Sequence, residues 1–137
     1  MIREGRAEDG PAIVAVQASA ADAASWPVDF SYQVDVAEVD GEVVGFLVTR
    51  RLVEGESEVL NLAVSPGYRR RGLARELLSV AMARWPGRWF LEVRASNNAA
   101  LECYQNLGFH IIGRRKGYYP SENGKSGEEG IVMEKGK

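Results

Sequence analysis

Two stretches of this sequence place chemically useful side chains at meaningful spacings. The first is Arg69-Arg70-Arg71-Gly72-Leu73-Ala74, followed by Arg75. It joins an apolar run that ends at Val64 to a segment with helical periodicity. The first N–H groups of a helix have no partner inside the helix, and the helix dipole is positive there, so such a terminus attracts anions. Gly72 and Ala74 lack bulk, which lets a diphosphate approach the backbone. The arginines add paired guanidinium donors. The alternative is a merely basic first helical turn, an arrangement that the dipole opposes unless an anion is bound.

The second stretch is Leu91-Glu92-Val93-Arg94-Ala95-Ser96-Asn97, continued by Leu101-Glu102-Cys103-Tyr104-Gln105-Asn106-Leu107-Gly108-Phe109. Glu92 stands between two apolar residues of a strand pattern, a setting that suits a general base. The alternative is an outward-facing carboxylate paired with Arg94 or Arg88. Tyr104 falls in the next helix, where its ring can pack while its hydroxyl reaches a site. The alternative there is a core aromatic. Cys103 has no histidine near it in sequence and reads as a small core residue. His110 reads as structural, and Trp26, Trp85 and Trp89, all near element ends, read as packing.

Periodicity and turn chemistry give the elements that hold these residues. Residues 2–6 form a short strand. Asp9, Gly10 and Pro11 open a helix that runs through the alanines to residue 24, with Asp9 as its cap, and Trp26-Pro27 ends it. Valines 34, 36 and 39, then Asp40-Gly41, then residues 43–48 make a hairpin. Glu54-Gly55-Glu56 is a second turn before a strand over 59–64. From Arg71 the apolar period becomes 3.6 and a helix runs to Trp85-Pro86-Gly87. A strand over 89–95 precedes a helix capped by Ser96 or Asn97 and ended by Gly108. Strands over 110–113 and 131–134 flank a polar loop at 121–130. The result is an α+β (α/β) arrangement with seven strands, the antiparallel ones first, and helices on both faces.

Composition bounds the rest. The 137 residues fit one domain, 1–137, with 45% hydrophobic and 26% charged residues. A net charge of −2 gives no global pull toward nucleic acid or anionic lipid. One cysteine excludes an internal disulfide, and a single histidine offers no metal set. No apolar run approaches the ~20 residues that cross a membrane, and the first residues show no leader pattern. A cytoplasmic protein is expected.

Asn61-Leu62-Ala63-Val64, then residues 68–74, then residues 97–109 resemble the GNAT superfamily of acetyltransferases. Its pyrophosphate loop has the form Gln/Arg-x-x-Gly-x-Gly/Ala, which residues 69–74 fit with alanine at the last place. Residues 91–97, Leu107-Gly108-Phe109 and Arg114-Arg115-Lys116-Gly117-Tyr118-Tyr119 are similar, more narrowly, to the bacterial ribosomal-protein-alanine N-acetyltransferases, which acetylate a protein N-terminus. The resemblance implies a GNAT-type mixed, mostly antiparallel sheet, acetyl-CoA as co-substrate and no metal. It implies that Leu62, Ala63 and Val64 form a splayed strand along the pantetheine arm, one N–H polarising the thioester carbonyl. Arg69, Arg70, Arg71, Gly72, Leu73, Ala74 and Arg75 then cradle the pyrophosphate. Asn97 bonds the cofactor near its reactive end, Glu92 is the base acting through water, and Tyr104 protonates the departing thiolate. Tyr118 and Tyr119 line the acceptor side.

The acceptor implied is a protein N-terminus, such as that of a ribosomal protein. One departure bears on it: only residues 27–33 stand between Trp26 and the next strand, where that family has a fuller second helix. A small amine is the alternative acceptor, and a non-catalytic acyl-CoA sensor the alternative activity. A sensor needs neither Glu92 nor Tyr104.

Overall fold

The computed structural model describes residues 1–19, 29–119 and 128–136, without the side chains of 117–119 and 128. The chain runs β1 (Ile2–Glu4), α1 (Gly10–Ser19), β2 (Gln33–Val39), β3 (Glu42–Val53), β4 (Glu56–Val64), α2 (Leu73–Arg84), β5 (Arg88–Arg94), α3 (Asn98–Asn106), β6 (His110–Tyr119) and β7 (Glu128–Lys135). Short 3-10 turns occupy Ala7–Asp9 and Pro66–Tyr68. The expected extension of the first helix over 20–24, its stop at Trp26-Pro27, and residues 121–127 of the polar loop lie outside the described residues.

The strands form one sheet in the order β1-β2-β3-β4-β5-β7-β6. Every pairing is antiparallel except β4 with β5. Neighbouring residues on a strand face opposite ways, and two cores follow from that. Phe46, Val48 and Ala63 pack with Ile13 and Val16 of α1. Leu47, Leu62 and Val64 pack with Leu73, Leu77, Leu78 and Ala81 of α2, a core that Tyr104 and Leu107 of α3 join. Helices on both faces of a mixed, mostly antiparallel seven-stranded sheet are thus borne out. The Asp40-Gly41 turn is too: its φ values of 51° and 81° are those of a tight hairpin with two left-handed residues.

Several boundaries differ from the sequence reading: β1 stops at Glu4, two residues early, and β4 begins at Glu56, three residues before the expected start. Strands β3 and β6 run on through Arg50-Arg51 and Arg114-Arg115-Lys116, and Glu128–Gly130, expected in a loop, begin β7. Charges hide such strand ends from a pattern search, yet an edge strand such as β6 tolerates them and is protected by them. Asp9 does not cap α1. It sits in the preceding turn, where Arg3 holds it through two 2.9 Å bonds and the Arg6 N–H donates to it at 2.8 Å. The Arg3 guanidinium first, and that N–H after it, lower its carboxyl to about 2 against the opposing effect of burial. This pair fixes the start of α1 to β1.

Candidate active site

The site begins where the sheet fails to close. Strands β4 and β5 pair over Glu56–Glu58 with Arg88–Phe90 and then part. The cause is visible in β4: Val48 faces Asn61 but Thr49 faces Val59, so Leu60 is an extra residue, a bulge that twists the strand away. Beyond it β4 keeps its partner β3 on one edge only. Ser65 N–H donates to Val44 O at 2.8 Å. Alternation then turns the Ala63 amide toward β3, and those of Leu62 and Val64 toward the opening.

At the end of β4 the chain makes a 3-10 turn and enters α2 through the arginine loop. Arg69 Nε donates to Val64 O at 3.2 Å, tying the loop to the strand. Arg70 has φ 64° and Gly72 φ 78°. Both are left-handed, which Gly72 adopts freely and Arg70 only at some cost. A Cβ built on Gly72 meets nothing within 4 Å, so the space before α2 is open. No side chain caps α2, and its first N–H groups point into that space.

From the far wall, Arg75 Nη2 donates to Asn106 O at 2.9 Å, latching α2 to the end of α3. The result is one cleft of about 460 Å³. Leu62, Ala63, Val64, Arg69, Arg70, Gly72, Leu73, Ala74, Arg75 and Tyr104 all line it. Tyr104 is 7% exposed, its ring edge-on to Phe109 at 5.7 Å.

Other expected members stand elsewhere. Arg71 is not on the cleft wall; its guanidinium lies over the Tyr68 ring, 4.9 Å from the centroid. Asn97 is not on the wall either. Its Oδ1 accepts the Ala100 N–H at 3.1 Å, so it serves as the cap of α3. Glu92 lies beyond the cleft wall, and its Oε1 accepts from Arg115 Nη1 at 3.1 Å. Arg88 is engaged by Glu134 and Glu56. Arg94, Gly130 and Arg115 stand in one cross-strand row, so the Arg115 side chain reaches Glu92 across β7 from two residues along. The side chains of Tyr118 and Tyr119 lie outside the described residues.

Sequence reading missed part of the wall. Ala99, Ala100, Glu102, Cys103, Asn106 and Leu107 line the cleft as well, beside Tyr68, which the sequence already placed at the head of the arginine loop. Helical spacing from Tyr104 back to Ala100 and on to Leu107 marks that face. Cys103, expected in the core, is half-buried on this wall. His110 is exposed beside Glu134, while Trp85 and Trp89 stack as expected, at 6.3 Å. Among the described residues, no three His, Cys, Asp or Glu side chains converge as metal ligands. No helix among them is long and apolar enough to cross a membrane.

The model of the Acetyltransferase (GNAT) family matches residues 6–109, which takes in β4, the arginine loop, β5 and α3. The chain belongs to this family. The [ribosomal protein bS18]-alanine N-acetyltransferase of Escherichia coli K12 is 38% identical over 98 residues. That match takes in 69% of this chain and 64% of the relative, a little under two thirds of its length. The crystal structure of the ribosomal-protein-S18-alanine N-acetyltransferase from Escherichia coli superposes with a TM-score of 0.77 at 30% identity, covering 99% of this chain and 92% of that one. Nourseothricin acetyltransferase superposes at 0.79 and 25% identity, covering 99% and 97%. The GNAT fold therefore spans the chain, and relatives that act on different acceptors share it.

Proposed function

We propose that this chain is an acetyl-CoA-dependent N-acetyltransferase acting on a primary amine, in particular a protein N-terminal α-amine of the ribosomal-protein-alanine type. The observation that carries the reading is the parting of β4 from β5 beside an uncapped, glycine-started helix. One edge of β4 offers the Leu62 and Val64 amides to an extended, amide-bearing arm. The α2 terminus with Arg69, Arg70 and Arg75 offers donors to a diphosphate at the end of that arm.

The acetyl donor lies along β4 with its thioester near Tyr104. An α-amine has a pKa near ~8, so modest help frees its lone pair. Glu92 takes that proton, through water, and the neutral amine attacks the thioester carbon directly in a ternary complex. A β4 N–H holds the oxyanion. Collapse expels the thiolate, to which the Tyr104 hydroxyl donates a proton, and the acylated nitrogen gives up its second proton to water. Arg71 and Asn97 support the site at one remove, through Tyr68 and the start of α3.

The acceptor enters from the Glu92 side, past the end of β6 at Tyr118 and Tyr119. The likeness to the alanine N-acetyltransferase supports a peptide there, and the likeness to nourseothricin acetyltransferase supports a small amine. Acetyl-CoA turnover with a panel of peptides and small amines, read by mass spectrometry, separates the two. Transfer confined to small amines overturns the peptide reading, and cofactor binding without any transfer leaves a sensor.

A further inference from the structure

Asn61 is a polar side chain, 4% exposed, in the apolar second half of β4, between Leu60 and Leu62. Its Oδ1 accepts the Leu62 N–H at 3.0 Å. That N–H is one of the two β4 amides turned toward the opening, where β5 no longer supplies a carbonyl. A buried amide with no acceptor costs about 1–3 kcal/mol, and the Asn61 side chain supplies what the missing strand does not.

We propose that Asn61 is a positioning residue that holds the Leu62 N–H while the cleft is empty and yields it to the carbonyl oxygen of a bound thioester. This rests on the acyl-CoA reading above. The thioester oxygen and Asn61 Oδ1 compete for one donor. Removing the side chain removes the competitor, so a thioester binds more tightly, whereas CoA, which has no acyl carbonyl, gains nothing.

The test is calorimetric titration of the full chain with acetyl-CoA and, separately, with CoA. In Asn61→Ala the Kd for acetyl-CoA falls roughly 2- to 12-fold, the range that one net hydrogen bond spans, and the Kd for CoA stays the same. An unchanged or weaker acetyl-CoA affinity, or an equal change for both ligands, overturns the role. If Asn61→Ala does not fold, the wild-type chain carries the test by NMR. Acetyl-CoA then shifts the Leu62 amide resonance beyond the shift that CoA produces, and identical shifts overturn the proposal. If the wild-type chain binds neither ligand, the acyl-CoA reading fails and this role fails with it. If it binds both and Asn61→Ala discriminates between neither, only the role assigned to Asn61 fails.

Discussion

The Arg115 guanidinium reaches across β7 to hold the Glu92 carboxylate at 3.1 Å. Glu92 thereby stands on the face of β5 away from Leu91, which packs in the same core as Tyr104. The two candidate catalytic side chains lie on opposite sides of one strand, with the parting of β4 and β5 between them. Direct transfer needs that arrangement: proton removal on the acceptor side, proton delivery on the thiol side.

Replacing Glu92 by Gln is expected to lower kcat about 10²-fold at pH 7. The loss shrinks as pH rises through ~8, because the α-amine then loses its proton unaided. The pH–rate profiles of the two proteins check this. Parallel profiles with a constant offset remove Glu92 from the base role.

Replacing Tyr104 by Phe removes one oxygen and keeps the edge-on contact with Phe109. Thermal stability and the KM for acetyl-CoA are expected to change little, while kcat falls about 10²-fold. Steady-state kinetics beside a melting curve decide it. A kcat near that of the wild type assigns Tyr104 to packing alone.

The arginine loop separates charge from backbone geometry. Arg70 sits at φ 64°, which glycine adopts without strain. Arg70→Gly is therefore expected to leave the melting temperature unchanged or raised, while the Kd for acetyl-CoA rises roughly tenfold through loss of a charge-assisted contact. Gly72→Asp sets a carboxylate in the open space before α2 and forces φ 78° on a non-glycine residue, so both affinity and stability fall. Affinity that survives both changes contradicts the pyrophosphate assignment.

Arg84 at the end of α2 forms two bonds, 2.8 and 2.9 Å, with Asp35 of β2, whose side chain is 1% exposed. Arg84→Met strands that carboxylate among the apolar residues beneath α2. A loss of about 3 kcal/mol is expected in urea unfolding, largely recovered by adding Asp35→Asn. Acetyl-CoA affinity stays the same, because the pair lies at the end of α2 away from the cleft.

Much of this was legible in residue order, and the reasons differ from place to place. The hairpin at Asp40-Gly41 and the start of α2 at Gly72 are local decisions, set by which residues tolerate left-handed backbone. The identity of the cleft wall is legible because Leu62–Val64 and residues 69–75 are contiguous around one turn. The partner of Glu92 is not local: Arg115 is 23 positions away and arrives only through the register of β6 on β7. The bulge at Leu60 is equally hidden, since an extra residue among Val59, Leu60 and Leu62 looks like one more apolar position. Asn97, by contrast, is legible as a helix cap. The chain uses its side chain to start α3, a task its residue type and place before the helix also announce.

The most direct test of the account is to incubate the protein with acetyl-CoA and a peptide that begins with alanine and carries an internal lysine, then locate the product by fragment mass spectrometry. The account predicts one acetyl group on the alanine nitrogen, and none when that nitrogen is blocked beforehand. Acetylation of the lysine alone, or bound acetyl-CoA with no transfer to any peptide, contradicts it.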